Sequence, residues 1–223
     1  AEALRHLDDP DALLGAAERA LAALPEHSRP WHRAAAHAVL GAIRSGHVAR
    51  LGPLREALGR GAERGRLPAA AARTAHYLFV AHDLDLAERL LAAVARDADG
   101  EPDLAAWLAR ASASRARRAG DVLGYLGQLQ AAIAGFERLG DVREAAAERV
   151  NAGFALLELG AFAQAESTLR GGLDFAEQAG LLSVQVLAQI YLAETYLHLG
   201  RATDAIELLD RAVGSSRRNA AQT

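Results

Sequence analysis

Between residues 148 and 176 the apolar positions fall on two successive stripes. Val150, Phe154 and Leu157 make the first, and Phe162, Ala165, Leu169 and Leu173 the second. Spacings of three and four residues place such positions on one face of an α-helix. Gly160 separates the stripes, and a left-handed C-cap costs glycine nothing, so the stretch predicts a helical hairpin. Gly153 interrupts the first stripe where a neighbouring helix can come close. Neither helix covers its own apolar face, so the pair requires neighbours.

The pattern recurs at a period of forty. Gly120, Gly160 and Gly200 stand at comparable joints. Two residues after each come Val122, Phe162 and Ala202; five after, Tyr125, Ala165 and Ala205; nine after, Leu129, Leu169 and Leu209. Seven before each lies a small residue, Ala113, Gly153 or Ala193, and four before lie Ala116, Leu156 and Tyr196. Self-similarity at this period predicts an all-α fold of antiparallel helical hairpins stacked into an array, with no strand.

The rest of the chain fits the same scheme more loosely. Residues 1–7 read as the last turns of a helix, and Asp8, Asp9 and Pro10 open the next, which stops before Pro25. Ser28 caps a helix closed by Gly46. Gly52, Pro53, Gly59 and Gly61 weaken the helix predicted from His47 to Arg64, and Pro53 is expected to kink or delay it. After a turn at 65–67, Pro68 opens a helix through Val80, with His82 in place of the joint glycine and a helix on Leu84, Ala87, Leu91 and Val94 beyond it. The segment 97–102 reads as a loop. Pro102 to Ala119, a long helix to Leu139, the hairpin at 148–176, and Leu181–Leu199 with Arg201–Ser216 complete a single array over 1–217. That array has about five hairpins plus a leading helix. Residues 218–223 are expected to form a disordered tail.

The residues at these joints resemble the tetratricopeptide repeats. The small–aromatic–Gly–aromatic–Ala signature is fullest as Gly153, Leu156, Gly160, Phe162 and Ala165, and returns as Ala193, Tyr196, Gly200 and Ala205. A period near forty exceeds the usual one of about thirty-four, so helices longer by a turn are expected. The resemblance implies a right-handed superhelical solenoid with the first helix of each hairpin on the concave side. The run LGDVREAAAERVNAGFALLELGAFAQAE is similar to the C-terminal repeat arrays of multidomain bacterial Ser/Thr kinases and signal-transduction ATPases. That implies a cytoplasmic bacterial setting.

Composition narrows the classes. Hydrophobic residues make up 51% of the 223 positions and aromatics 5%, and alanine-rich segments favour close helix–helix approach over strands. All 25 basic residues are arginine. A net charge of −3 offers nucleic acid no concentrated basic face. Without cysteine there are no disulfides, thiolate metal sites or cysteine nucleophiles. The absence of methionine is expected of a piece of a longer polypeptide. The best candidate for a membrane span, 180–200, is broken by Gln185, Gln189 and Glu194, so no membrane partner is expected.

Searching for catalytic chemistry returns little. The eight histidines show no HExxH spacing and no pair at i, i+4, so no metal is expected. The glycines between Gly59 and Gly65 lack the lysine of a phosphate-binding loop and the preceding strand of a dinucleotide turn. Kinase motifs are absent. No catalytic residue and no cofactor are expected.

Binding chemistry is more legible. Arg110, Ser114, Arg117 and Arg118 lie near one face of the helix from Pro102 to Ala119, and the repeat superposition puts that face on the concave side. Arginine grips carboxylates bidentately, so an acidic protein or peptide is the partner this face suits; the alternative is that cations at a helix C-terminus complement its dipole. Asn151 matches one position of the carboxylate clamps that the family uses for peptide tails. Leu187 and Tyr191 stand where such a clamp needs cations, so the clamp itself is not expected. Phe79, Trp107, Phe154, Ile190 and Leu197 map to the same concave side as apolar anchors, although Trp107 can equally pack beside its loop. The expected partner-binding set is therefore Trp107, Arg110, Ser114, Arg117, Arg118, Asn151, Phe154 and Ile190.

Two functions follow. One is a non-enzymatic protein–protein interaction scaffold, the regulatory or docking segment of a larger signalling protein. The other is an array that senses a peptide or small molecule and controls an attached effector domain. An open wall favours the first and a closed groove with buried polar groups the second. Homo-oligomerisation is left open.

Overall fold

The computed structural model describes residues 9–64, 67–96 and 101–221, with side chains in the last helix as far as residue 214. Among these residues there are eleven α-helices and no strand. They are α1 (Pro10–Ala23), α2 (Arg29–Ser45), α3 (Gly52–Arg64), α4 (Ala69–Val80), α5 (Leu84–Ala95), α6 (Leu104–Arg118), α7 (Val122–Arg138), α8 (Val142–Glu158), α9 (Phe162–Gln178), α10 (Leu182–His198) and α11 (Ala202–Ala221). The expected helix end at 1–7, residues 65–66 of the turn, 97–100 of the loop and 222–223 of the tail lie outside the described residues.

The backbone of α11 is helical through Ala221. Contacts cluster the chain into two compact units, Ala1–Arg118 and Ala119–Thr223.

Local chemistry sets the helix ends. Asp9 accepts from the Ala12 N–H at 2.8 Å, Ser28 from Trp31 at 3.3 Å, Asp121 from Gly124 at 2.8 Å and Asp141 from Glu144 at 3.2 Å. Each satisfies a donor that the first helical turn leaves without an intrahelical partner. A 3-10 turn over Val48–Leu51 precedes α3, so Pro53 falls in the first turn of the α-helix and delays its start.

The C-terminal joints share one geometry. Gly120, Gly140, Gly160, Gly180 and Gly200 come every twenty residues, with φ between 66° and 75°. That left-handed turn lets an N–H beyond the helix reach back to a carbonyl of its last turn. Asp141 donates to Phe136 at 2.9 Å, Ala161 to Leu156 at 2.9 Å and Arg201 to Tyr196 at 2.8 Å. After α4 the position belongs to His82, φ 64°, and Asp83 donates to Leu78 at 3.0 Å in the same way. The missing joint glycine noted in the sequence is thus a histidine held in the glycine conformation.

In the first unit α2 packs on α1, α4 on α2 and α6 on α4, while α5 packs against α4 and α3. In the second unit consecutive helices pack from α7 to α11, and α8 also meets α10. Val150, Leu157, Leu169, Leu173, Leu192 and Leu208 belong to its core. Glycine permits the close crossings. A Cβ on Gly153 would lie 2.5 Å from Leu169 Cγ, and one on Gly41 would lie 2.9 Å from the Leu14 backbone nitrogen.

Candidate functional site

The expected binding residues fall in both units, and each group is described within its own. In the first unit, α6 carries Trp107, Arg110, Ser114, Arg117 and Arg118. Trp107 is 5% exposed and Ser114 8%, because α6 turns both toward α4. The Arg73 guanidinium on α4 lies 4.8 Å from the centre of the Trp107 ring and 5.8 Å from that of Tyr77. Its Nε sits 3.4 Å from the Tyr77 hydroxyl. A cation over two aromatic faces keeps some of the stabilisation that it lost with its water. Beside it, His76 Nδ1 and Ser114 Oγ share a hydrogen bond of 2.7 Å, and Ser114 Oγ is 3.4 Å from the Arg110 carbonyl. Burial, then the charges of Arg110 and Arg73, hold the His76 imidazole well below its ordinary pKa, so it is neutral at pH 7.

Trp107 and Ser114 thus lie buried where α6 meets α4. The arginines also diverge. Arg118 donates to His82 Nδ1 at the joint after α4, and Arg115 reaches Glu88 on α5 at 3.8 Å. Arg110 is half-buried and Arg117 exposed. Sequence reasoning missed Arg73, His76 and Tyr77. The signal available was an arginine and a tyrosine four residues apart in an otherwise alanine-rich helix.

In the second unit the expected residues lie on α8 and α10. Asn151 donates its amide to Glu148 Oε2 at 3.1 Å, so it serves a fully buried carboxylate of its own helix. Phe154 on α8 and Tyr191 on α10 stack with ring centres 4.6 Å apart and planes inclined at 32°, both half-buried. Along α10, Leu187 is half-buried, and Ile190 and Leu197 are exposed. The aromatic pair and the two exposed aliphatic side chains make a mainly apolar wall on α8 and α10, with the exposed Glu194 between Ile190 and Leu197. Such a wall suits a protein or peptide that brings its own apolar side chains.

The cleft of the first unit is polar and already paired. An open cleft of about 610 Å³ between α3 and α5 is lined by Arg55, Arg60, Glu63, Asp83 and Arg89, among others. Arg55 pairs with Asp83 at 2.5 Å and Arg89 with Glu63 at 2.9 Å. Among the described residues, no group of three or more histidines and carboxylates is placed to hold a metal ion. No helix among them is long and apolar enough to cross a membrane.

No family model matches the sequence, and no relative is found among characterised proteins. Solved structures do resemble it. The crystal structure of BtubC (BKLC) from P. vanneervenii superposes with a TM-score of 0.64 at 17% identity, covering 96% of this chain and 91% of the other. The TPR-like repeats of a kinesin light chain from Podosopora anserina superpose with a TM-score of 0.45 at 15% identity, covering 94% and 86%. That second value is too low to bear on the fold. The fold is TPR-like: an all-helical stack of antiparallel hairpins, as the joint residues led one to expect.

Proposed function

We propose that this chain is a non-enzymatic protein-interaction scaffold, the docking or regulatory segment of a larger bacterial signalling protein. The observation that carries this reading is the apolar wall of α8 and α10. Phe154 and Tyr191 form its floor, and Ile190 and Leu197 stand exposed on α10. Apolar side chains act as anchors when a partner removes them from water; Ile190 and Leu197 are about half exposed, so covering each adds about 1 kcal/mol. Of the arginines expected to draw an acidic partner, Arg118 contributes less, since it is engaged with His82 within the first unit. Apolar contact leads, and charge sets the approach. Sensing of a small molecule gains nothing from the cleft between α3 and α5, which is open and lined by charges that neutralise one another.

The test is an Ile190→Asp, Leu197→Asp double variant. Both side chains are exposed, so helicity should be unchanged by circular dichroism. Partners cross-linked to the wild type in bacterial cells should be lost from the variant. An unchanged set of partners would overturn the assignment of this wall.

A further inference from the structure

A smaller cavity lies in the first unit, between the 3-10 turn Val48–Leu51, α3 and the joint from α4 to α5. Local backbone creates it. The 3-10 turn sets the start of α3 back from the end of α2, and His82, at φ 64°, turns the chain sharply after α4. Leu51 and Leu78, 3% and 1% exposed, make an apolar floor with Ala81, and Val48, 41% exposed, stands at the rim. The volume is about 180 Å³. Sites for drug-sized ligands run to about 300–1,000 Å³. This one has room for about six water-sized groups, the bulk of one short aliphatic chain.

The polar wall is the ion pair of Arg55 on α3 with Asp83 at the joint. Arg55 Nε lies 2.5 Å from Asp83 Oδ2, and the arginine side chain is 55% exposed. The pair therefore occupies one edge of the guanidinium and leaves its terminal N–H donors for another oxygen. His82 completes the wall, and Arg118 donates to its Nδ1. A ring that accepts a hydrogen bond at Nδ1 is uncharged, so the Arg118 charge is fixed beside the pocket without being cancelled. Among the described residues no carboxylate pairs with Arg118, while Arg50 of the turn is held by Glu18 and Asp85 by Arg89. Arg55 and Asp83 offset each other, which leaves one positive charge next to an apolar floor.

We propose that this pocket binds a short aliphatic carboxylate, a free acid of about five or six carbons. The hydrocarbon chain lies on Leu51, Leu78 and Ala81. The carboxylate meets the outer edge of Arg55, with the Arg118 charge behind His82 to balance it. Arginine takes carboxylates through paired N–H donors, and a partly desolvated pair is stronger than one in open water. The site is separate from the wall of α8 and α10 and stands independently of that reading.

The probe is 4-methylpentanoate, titrated into the isotope-labelled full chain and followed by backbone amide NMR. Amides of residues 48–55 and 78–83 should shift saturably, with tighter binding at low salt, because exposed charges are screened by ions. The uncharged 4-methylpentanamide has the same shape and should bind about tenfold more weakly, since it forfeits the charge-assisted hydrogen bonds. Val48→Glu puts a carboxylate at the exposed rim and should abolish the shifts with unchanged helicity. Arg118→Gln should weaken binding about threefold and flatten its salt dependence. Ile190→Asp with Leu197→Asp should leave it as in the wild type, which separates this site from the other wall. Shifts that do not saturate, equal binding of acid and amide, or wild-type binding by Val48→Glu overturns the proposal. So does tighter binding of N-acetyl-leucine than of the free acid, since a protein C-terminus would then be the occupant.

Discussion

Replacing Gly153 by alanine adds one methyl group at the crossing of α8 and α9. That methyl would sit 2.5 Å from Leu169 Cγ and 2.6 Å from Cδ2, with the Leu169 backbone nitrogen at 3.4 Å. Carbon atoms pack at about 3.5–4.0 Å, so roughly 1 Å of space is missing. Leu169 is fully buried and has little room to turn away. Overpacking of this kind costs about 1–3 kcal/mol. Alanine is also the better helix former, by about 1 kcal/mol over glycine in a helix interior. The net expectation is a loss of roughly 0–2 kcal/mol. A control isolates the packing part. Gly171 lies exposed within α9 with nothing within 4 Å of its added Cβ, so Gly171→Ala should stabilise by about 1 kcal/mol. The two variants should therefore differ by roughly 1–3 kcal/mol, which for a chain of this size separates their melting temperatures by about 2–12 °C. Thermal and urea unfolding followed by circular dichroism read the difference. Combining Gly153→Ala with Leu169→Ala should show positive coupling, because the smaller side chain frees the space that the methyl needs. Equal stabilisation by Gly153→Ala and Gly171→Ala would refute the close crossing of α8 and α9.

Further predictions concern the first unit. Gly41→Ala should destabilise more than Gly153→Ala, by about 2–3 kcal/mol, because its Cβ meets the Leu14 backbone, which no rotamer change can move; trimming the Leu14 side chain should not rescue it in urea unfolding. His82→Gly should raise the melting temperature, since releasing a non-glycine residue from φ 64° gains about 1 kcal/mol, against a partial loss from the Arg118 contact. Acid should destabilise the chain before its carboxylates titrate. Burial and then the neighbouring His27 lower the His32 pKa to about 4, and His76 lies well below its ordinary value. The unfolded chain then binds more protons than the folded one between pH 6.5 and 4, so stability falls as pH drops through that window, by roughly 3 kcal/mol for His32 alone. Urea midpoints at pH 7 and pH 5 should show this dependence, and His32→Phe should flatten it. A wild type equally stable at both values would remove the histidines from that role.

What the sequence by itself determined is what short-range chemistry controls. A left-handed residue is needed wherever one of these helices reverses, and glycine supplies it without strain, so Gly120, Gly140, Gly160 and Gly200 were readable as joints before any packing was known. His82 was readable too, because it stands between the helix through Val80 and the one that begins at Leu84, where the other hairpins carry a glycine. The closeness at Gly153 followed from a small residue recurring at one phase of the repeat. Tertiary structure decided which apolar residues face a groove and which face another helix. A helix in a stacked array meets neighbours on several sides, so a stripe at three- and four-residue spacing shows only that a face is covered, not what covers it. Trp107 and Ile190 belong to equally good stripes. The first is closed by α4, whose Arg73 lies over its ring, and the second is left open on α10.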